Sequence, residues 1–461
     1  MRGNDFIAWP YDLALFTDLY ELSMLQSYFE AGLSQEAVFS LFIRRLPKER
    51  NYFLVCGLAD MLQGLEVFRF SQDAIQYLSS LNKFSSQFLD YLAEFRFEGD
   101  VHAAPEGTPI FANEPILEVV APIGQGQLIE TFVMNQLHLQ TLLASKAARV
   151  VEAAQGRAVV DFGARRMHGL DAAVKAARAF HIAGVDATSN VLAGKRYGIP
   201  VAGTMAHSYI EAFDTEYEAF HTFSETFPET ILLVDTYDTI AGVKNVIRLA
   251  RELGKVFRIN GIRLDSGNLA SLAKECRKEL DKEGLESVKI FVSGGIDEYE
   301  IRDLLANGAP ISGFGVGTAM GVSDDVPALD IAYKICAYDG KGRLKLSTGK
   351  QTYPGRKQVF RVEEGRKAIR DVIARAEEDL AGGRPLLKQV MKRGKIVPDL
   401  PKDPSEIREY ARHEIEKLPG NIRRIETATN PYPILISDEL ETHRREVTLK
   451  ITQNQTIRVP L

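Results

Sequence analysis

Between about residue 130 and about residue 325, short apolar runs ending in Gly, Asp or Ser alternate with amphipathic stretches of helical period. The strand candidates are 158–162, 184–186, 201–203, 230–235, 261–264, 288–292 and 311–316. Helical stretches between most of them include 167–183, 239–254, 269–283 and 298–307. Strands spaced this way, with a helix between each pair, run in one direction and share a sheet, because each helix returns the chain to the starting edge. Six or seven such units, without a lone dinucleotide-binding glycine fingerprint, predict an α/β barrel rather than an open sheet.

The flanking regions lack this rhythm. In the first 130 residues, Thr17 or Asp18 is placed to cap a helix reaching Phe29, and 38–44 alternates like a half-buried strand. Segments 60–68 and 73–95 read as helices, and the Pro- and Gly-rich 104–123 reads as a small β region. After about residue 340 the chain is more charged: 343–361 is basic and β-like, 366–380 reads as a polar helix, and 447–459 resembles a strand beyond a proline-rich 398–404. The expected organisation is an N-terminal α/β domain over 1–130 and an α/β barrel carrying the site over 131–340. A C-terminal region over 341–461 is expected to pack partly on the N-terminal domain.

Composition excludes several classes of function. The chain has 461 residues, 45% of them hydrophobic and 26% charged, which is too core-forming for disorder and long enough for two or three domains. A formal charge of −6 argues against a general nucleic-acid or anionic-membrane binder, so neither is expected as a partner. A small anion held by a few arginines and main-chain amides remains possible. Cys56, Cys276 and Cys336 are too scattered for a disulfide framework or paired zinc ligands, so they are expected as buried apolar residues, with no structural zinc. Asp5, Asp12 and Asp18 interrupt any N-terminal apolar stretch. The longest charge-free run, 304–323, holds Asn307, Pro310 and five glycines, which does not suit a spanning helix. A cytoplasmic location is expected.

Barrel enzymes build their sites at the carboxyl ends of the strands, and here those ends are dense in polar groups. They carry Asp161, Phe162 and Gly163 followed by Arg165 and Arg166; Gly203 and Thr204 with His207; and Asp235 and Asp238. Further along come Arg263, Asp265 and Ser266, then Ser293, Gly294 and Gly295, then Gly315, Gly317 and Thr318. Each has a bland explanation as a turn or cap, and 265–268 would cap the next helix. Caps alone, however, require neither paired arginines nor a histidine. Two glycine turns after neighbouring late strands let main-chain N–H groups approach a phosphate. Arg165, close to Phe162, is placed to clamp a second anionic group. His207 suits either acid–base chemistry or a phosphorylated nucleophile.

The stretches TDLYEL (17–22), DFGARR (161–166), TSNVLAG (188–194), GTMAHS (203–208) and RLDSG (263–267) closely resemble nicotinate phosphoribosyltransferase. The likeness runs in order from about residue 10 to about residue 360. It implies an irregular α/β barrel with a separate N-terminal α/β domain and a C-terminal extension, assembled as a homodimer with sites at the interface. The implied reaction joins nicotinate to 5-phosphoribosyl 1-diphosphate, giving nicotinate mononucleotide and diphosphate for NAD biosynthesis. ATP hydrolysis would be coupled through a phosphohistidine, with Mg2+ accompanying the diphosphate.

By motif, the resemblance makes His207 the phosphohistidine and has Tyr20 reach nicotinate across the dimer interface, with Thr204 and Arg263 on the same substrate. Phe162 would stack on the pyridine ring, Asp265 would hold ribose hydroxyls and Arg165 the diphosphate. Gly295 and Thr318 would hold the 5-phosphate, with Gly294 and Gly317 in the same turns, and Asp235 would be a ribose- or metal-side acid. His207, Arg263 and Asp265 are the expected catalytic groups. Loss of diphosphate from the sugar passes through an oxocarbenium-like state, and the pyridine nitrogen brings its own lone pair, so a site of arginines, glycines and aromatics without a strong base is apt. Nicotinamide use is the runner-up, since Asp186, expected at a strand end, has a counterpart in nicotinamide enzymes that favours a carboxamide. A sugar-phosphate lyase or isomerase would need a Lys or Glu base at a strand end. A non-catalytic phosphate-binding barrel is the last alternative.

Overall fold

The computed structural model describes residues 12–347, 352–401 and 403–456; Asp5 and the end of the 447–459 segment lie outside them. At its centre six parallel strands form one sheet. Their spatial order is Ala187–Thr188, Ala158–Asp161, Gly313–Val316, Lys289–Val292, Gly261–Leu264 and Ile231–Leu233. Thr188 adds a single bridge to Val201, and no described residue pairs onward from there to Ile231–Leu233. The result is a curled half-barrel, the irregular α/β architecture expected.

Helices Thr239–Leu253, Leu269–Lys282 and Glu298–Ala306 return the chain between strands. Each begins on a side chain that accepts a free first-turn N–H: Asp238 from Ala241, Asn268 from Ser271, and Asp297 from Tyr299 and Glu300. Alternation along the strands sends Ile262, Leu264, Ile290, Val292, Phe314 and Val316 into the core shared with the helices, each fully buried. Burial of each contributes about 1.5–3 kcal/mol. The other face carries the chemistry. Register sets Leu233, Arg263, Phe291, Gly313 and Ala158 side by side. Two residues further on, the same alternation brings Asp235, Asp265, Ser293 and Gly315 to the carboxyl edge.

A second sheet is antiparallel and interleaves early and late parts of the chain. Ile331–Tyr338 pairs with Glu36–Ile43, which pairs with Pro115–Pro122; Asp100–Ala103 follows, and then Lys388–Lys392. The helix Glu130–Ala154 joins the two cores, with Phe132, Val133 and Leu137 in one and Leu143, Ala147 and Val150 in the other. A third sheet orders Gly383–Pro385, Lys357–Glu364, Lys367–Arg375 and Ile434–Ile436.

Several expectations are corrected. The 38–44 strand is not half-buried: Ala37 through Ile43 are all buried, because both faces are covered. The 73–95 helix is two, Gln72–Ser80 and Ser86–Ala93, broken where Asn82 adopts φ +51° and Ser85 caps the second. Segment 184–186 is a turn through Gly184 at φ +112°, and the strand starts at Ala187. Segment 366–380 is no helix: Lys367–Arg375 is a strand, paired so that Asp371 opposes Arg361 in the core. The 447–459 segment is helical as far as described, within Asp438–Thr456, and Val447 is buried from it. No helix among the described residues is long and apolar enough to cross a membrane.

Candidate active site

At each strand end the polar residues divide into those that cap and those that face the mouth. After Ile231–Leu233, Asp238 caps the next helix while Asp235 turns back to accept the Asp265 main-chain N–H at 2.8 Å and the Ser266 hydroxyl at 2.9 Å. After Gly261–Leu264 the cap is Asn268, leaving Asp265 free of that duty. Asp161 is fully buried and structural. It accepts from Gly163 N–H at 2.8 Å and the Thr188 hydroxyl at 2.7 Å, and burial pushes its carboxyl above the ordinary range.

Arg263 is the centre of the cluster. Its guanidinium donates to Asp265 at 3.1 Å, to the Ser293 hydroxyl at 3.0 Å and to the Met205 carbonyl at 2.7 Å across the open seam of the half-barrel. Its Nε, buried, has no partner among the described residues. Burial draws it below the usual arginine range, Arg165 adds to this, and Asp265 and Asp235 oppose it. The guanidinium carbon lies 5.8 Å from the centroid of the Phe162 ring, which sits directly over Gly315. A Cβ on Gly315 would stand 2.4 Å from that ring. Gly315 is therefore a packing residue rather than part of a phosphate turn. Arg263 and the Phe162 face are thus within cation–π reach of each other, a contact of about 0.5–2 kcal/mol depending on desolvation.

Asp265 also accepts from the Ser293 hydroxyl at 2.5 Å, and its second oxygen lies 3.9 Å from His207 Nε2. His207 opens the short helix His207–Glu211, and its Nδ1 is 3.1 Å from the Thr236 hydroxyl. Thr204, half-buried in the preceding loop, donates to the Met205 carbonyl at 3.3 Å. Asp235 keeps one carboxylate oxygen buried without a partner among the described residues.

The late glycine turns border the same opening. Gly294 adopts φ +96°, and a Cβ there would fall 1.7 Å from the Asp265 carbonyl oxygen. Gly295, at φ +74°, faces open space. Gly317 precedes the exposed Thr318, first residue of Thr318–Val322. Arg165 is exposed after the Ala158–Asp161 strand, without an ion pair among the described residues.

Comparison with known proteins gives the arrangement a lineage. Residues 15–138 match the nicotinate phosphoribosyltransferase N-terminal domain, 143–334 the quinolinate phosphoribosyl transferase C-terminal domain, and 381–444 the nicotinate phosphoribosyltransferase C-terminal domain. A nicotinate phosphoribosyltransferase of Mycobacterium tuberculosis is 52% identical over 427 residues, covering 93% of this chain and 92% of that one. The chain belongs to the nicotinate phosphoribosyltransferase family. A Bacillus subtilis nicotinate phosphoribosyltransferase is 42% identical over 76% of this chain and 73% of its own length. The crystal structure of human nicotinic acid phosphoribosyltransferase superposes with TM-score 0.84 at 28% identity, over 93% of this chain and 99% of that one.

In this nicotinate phosphoribosyltransferase family member, the chain brings together Phe162, Thr204, His207, Asp235, Arg263, Asp265 and Gly294. Tyr20 lies elsewhere, half-exposed on Leu19–Glu30, which packs on Ile123–Leu128. Its hydroxyl is surrounded by Glu21, Glu130 and Asp18, and desolvation with those charges pushes it above the ordinary tyrosine range. Asp186 is also remote from the mouth. It precedes its strand, accepts from Val159 N–H at 2.9 Å and pairs with Arg408 at 2.8 Å, at the amino end of the sheet. Two groups have no place in the sequence reading, the Thr236 hydroxyl on His207 and the Met205 carbonyl, and Ser293, named there only as a strand-end residue, proves to bridge Arg263 and Asp265. Both of the former sit beside named motif residues, and the bridging role of Ser293 follows from its place two positions beyond Phe291, the register partner of Arg263.

Proposed function

We propose that the chain transfers the 5-phosphoribosyl group of 5-phosphoribosyl 1-diphosphate to nicotinate, forming nicotinate mononucleotide and diphosphate for NAD biosynthesis, with ATP hydrolysis coupled through phosphorylated His207. The observation that carries this reading is Arg263: a mostly buried guanidinium whose Nε has no partner among the described residues, held beside an aromatic face at the carboxyl edge of a phosphoribosyltransferase fold. Nicotinate supplies what that place lacks, a flat ring for Phe162 and a carboxylate for Arg263, with Thr204 beside it. Asp265 is suited to ribose hydroxyls, Arg165 to the diphosphate, and the main chain at Gly294, Gly295, Gly317 and Thr318 to the 5-phosphate.

In the transfer, the C1–O bond to diphosphate breaks with its electron pair leaving on oxygen, and the nicotinate nitrogen forms the new C1–N bond from its own lone pair. No residue removes a proton. The protein orients the ring and stabilises charge. Mg2+ bound with the diphosphate would supply charge neutralisation of the leaving group. The orphaned buried oxygen of Asp235 fits the oxygen-ligand chemistry of that ion. The subunit organisation belongs to the same proposal: a barrel region over 131–340 carries the site, flanked by the N- and C-terminal regions. A homodimer lends Tyr20 of one copy to the mouth of the other, and the enzyme works in the cytoplasm.

The test is product formation from nicotinate and 5-phosphoribosyl 1-diphosphate, with and without ATP, alongside nicotinamide at equal concentration. Nicotinate is expected to be preferred and ATP to stimulate. His207→Ala is expected to lose the stimulation and the label from γ-labelled ATP while keeping slow ATP-independent transfer. Label retained on that variant removes His207 from the role, and equal use of nicotinamide overturns the substrate assignment.

A further inference from the structure

Among the described residues the imidazole of His207 is held by one hydrogen bond, and that bond distinguishes its two nitrogens. Nδ1 lies 3.1 Å from the hydroxyl of Thr236, which has no other side-chain partner among the described residues. Nε2 makes no hydrogen bond among the described residues. It faces the carboxyl edge, with Asp265 at 3.9 Å and the side chain 41% exposed. A threonine hydroxyl can donate or accept, so the contact alone permits either tautomer. Function does not, because a ring nitrogen that attacks phosphorus needs its lone pair. Nδ1 is occupied by Thr236, so Nε2 is the nitrogen with room for an incoming group, and its lone pair is free when the proton resides on Nδ1.

We infer that Thr236 is a positioning residue which accepts the Nδ1–H of His207, thereby selecting Nε2 as the atom that takes the phosphoryl group; this rests on the phosphohistidine reading above. The step balances. The Nε2 lone pair forms the bond to the γ-phosphorus of ATP, the bond from that phosphorus to the β,γ-bridging oxygen breaks with its electrons leaving on ADP, and the proton stays on Nδ1. The ring is then a phosphoimidazolium whose Nδ1–H still donates to Thr236. A ring kept protonated on its far nitrogen is the better leaving group when the phosphoryl group departs. Thr236 thus sits one residue beyond the strand-end Asp235 and acts on the histidine, without touching substrate.

Two measurements decide the matter. Nitrogen-15 NMR of the histidine-labelled protein, with His207 assigned among the eight histidines by the His207→Gln difference, reports the tautomer without phosphorylation. The expected result is the Nδ1–H form in wild type, shifting towards the Nε2–H form in Thr236→Val and restored in Thr236→Ser. Phosphorus NMR of protein treated with ATP and Mg2+ then reports which nitrogen is phosphorylated. The bond is expected on Nε2, with the rate of phosphorylation down about tenfold or more in Thr236→Val, the order set by one lost hydrogen bond that holds the reacting group, and recovered in Thr236→Ser. KM for nicotinate should move far less than the ATP-stimulated kcat. An Nε2–H tautomer in wild type, a phosphoryl group on Nδ1, or a Thr236→Val variant phosphorylated at the wild-type rate overturns the inference. A wild type that takes no label at all refutes the phosphohistidine reading instead, and the tautomer still decides Thr236.

Discussion

Arg361 and Arg263 are both arginines beside an aspartate on a strand, and their surroundings differ in a way that separates architecture from chemistry. Arg361 is wholly buried in the third sheet. It grips Asp371 with two hydrogen bonds of 3.0 and 2.6 Å, donates to the Pro109 carbonyl at 2.8 Å and has Glu414 within 3.6 Å. Arg178 repeats the pattern with a two-pronged grip on Glu106 at 2.8 and 2.7 Å. In both, the carboxylates outweigh the cost of burial and hold the guanidinium above the usual arginine range. Arg263 spreads its donors over one carboxylate oxygen, a hydroxyl and a carbonyl; there burial wins and the guanidinium is drawn down. All three remain charged at any relevant pH. What differs is whether the protein has already supplied the counter-charge. A compensated arginine is a strut, and an under-compensated one at an open strand edge has room for an anion.

The sharpest way to break this contrast is Arg361→Ala. It leaves Asp371 buried beside Glu114 and without its cation, so a stability loss of about 3–5 kcal/mol is expected. It should show as a lower urea midpoint or as insoluble protein. KM for nicotinate in whatever folds should be unchanged. A loss under about 1 kcal/mol, the median value of an exposed pair, would mean that compensation in the core does not mark a structural arginine.

Arg263→Ala should behave the opposite way. Asp265 keeps Ser293 and access to water, so stability should fall by no more than about 1 kcal/mol, in the usual range for a partly exposed site. Nicotinate turnover should lose about 100- to 1,000-fold in kcat/KM, the scale of removing a preorganised charge-stabilising donor. Arg263→Lys keeps the charge but not the fork and should recover only part of this. Saturation kinetics in nicotinate alongside thermal unfolding separate the two effects. Unchanged nicotinate affinity, or an unfolding penalty matching that of Arg361→Ala, would dissolve the distinction.

The same difference explains what could be read from the sequence. Five of the six parallel strands were legible because each has a buried apolar face and a glycine or capping residue near its end; 261–264 matches the observed strand residue for residue, whereas the two-residue Ala187–Thr188 is too short to leave a pattern. The strand Lys367–Arg375 was read as a polar helix because the buried pair of Arg361 and Asp371 puts charge where alternation demands an apolar residue. Glu130–Ala154 left no amphipathic stripe, since it is buried on nearly every side and carries Lys146 and Arg149 inside, ion-paired to Glu298. At the site, motif reading named Arg263, Asp265 and His207. Position alone did not separate Asp265 from the cap Asn268, nor Asp235 from the cap Asp238, because capping depends on where the helix axis starts; the resemblance did. Motif reading also assigned Gly315 to a phosphate turn, although its lack of a side chain makes room for Phe162.

Asp186 offers the smallest effect and the finest test. Its pairing with Arg408 resembles a strut more than a site: it is half-exposed, it holds the Val159 N–H, and it lies at the amino end of the sheet. Asp186→Asn keeps an oxygen for Val159 and loses only the exposed ion pair, so a stability change of at most about 1 kcal/mol is expected. The preference for nicotinate over nicotinamide, as the ratio of kcat/KM values, should stay within about twofold of wild type, since separated sites act independently. A tenfold swing towards nicotinamide or away from it would place a substrate-reading carboxylate at the wrong end of the barrel. In that case the rule that under-compensated charge at the carboxyl edge marks the chemistry would fail at the residue it most clearly excludes.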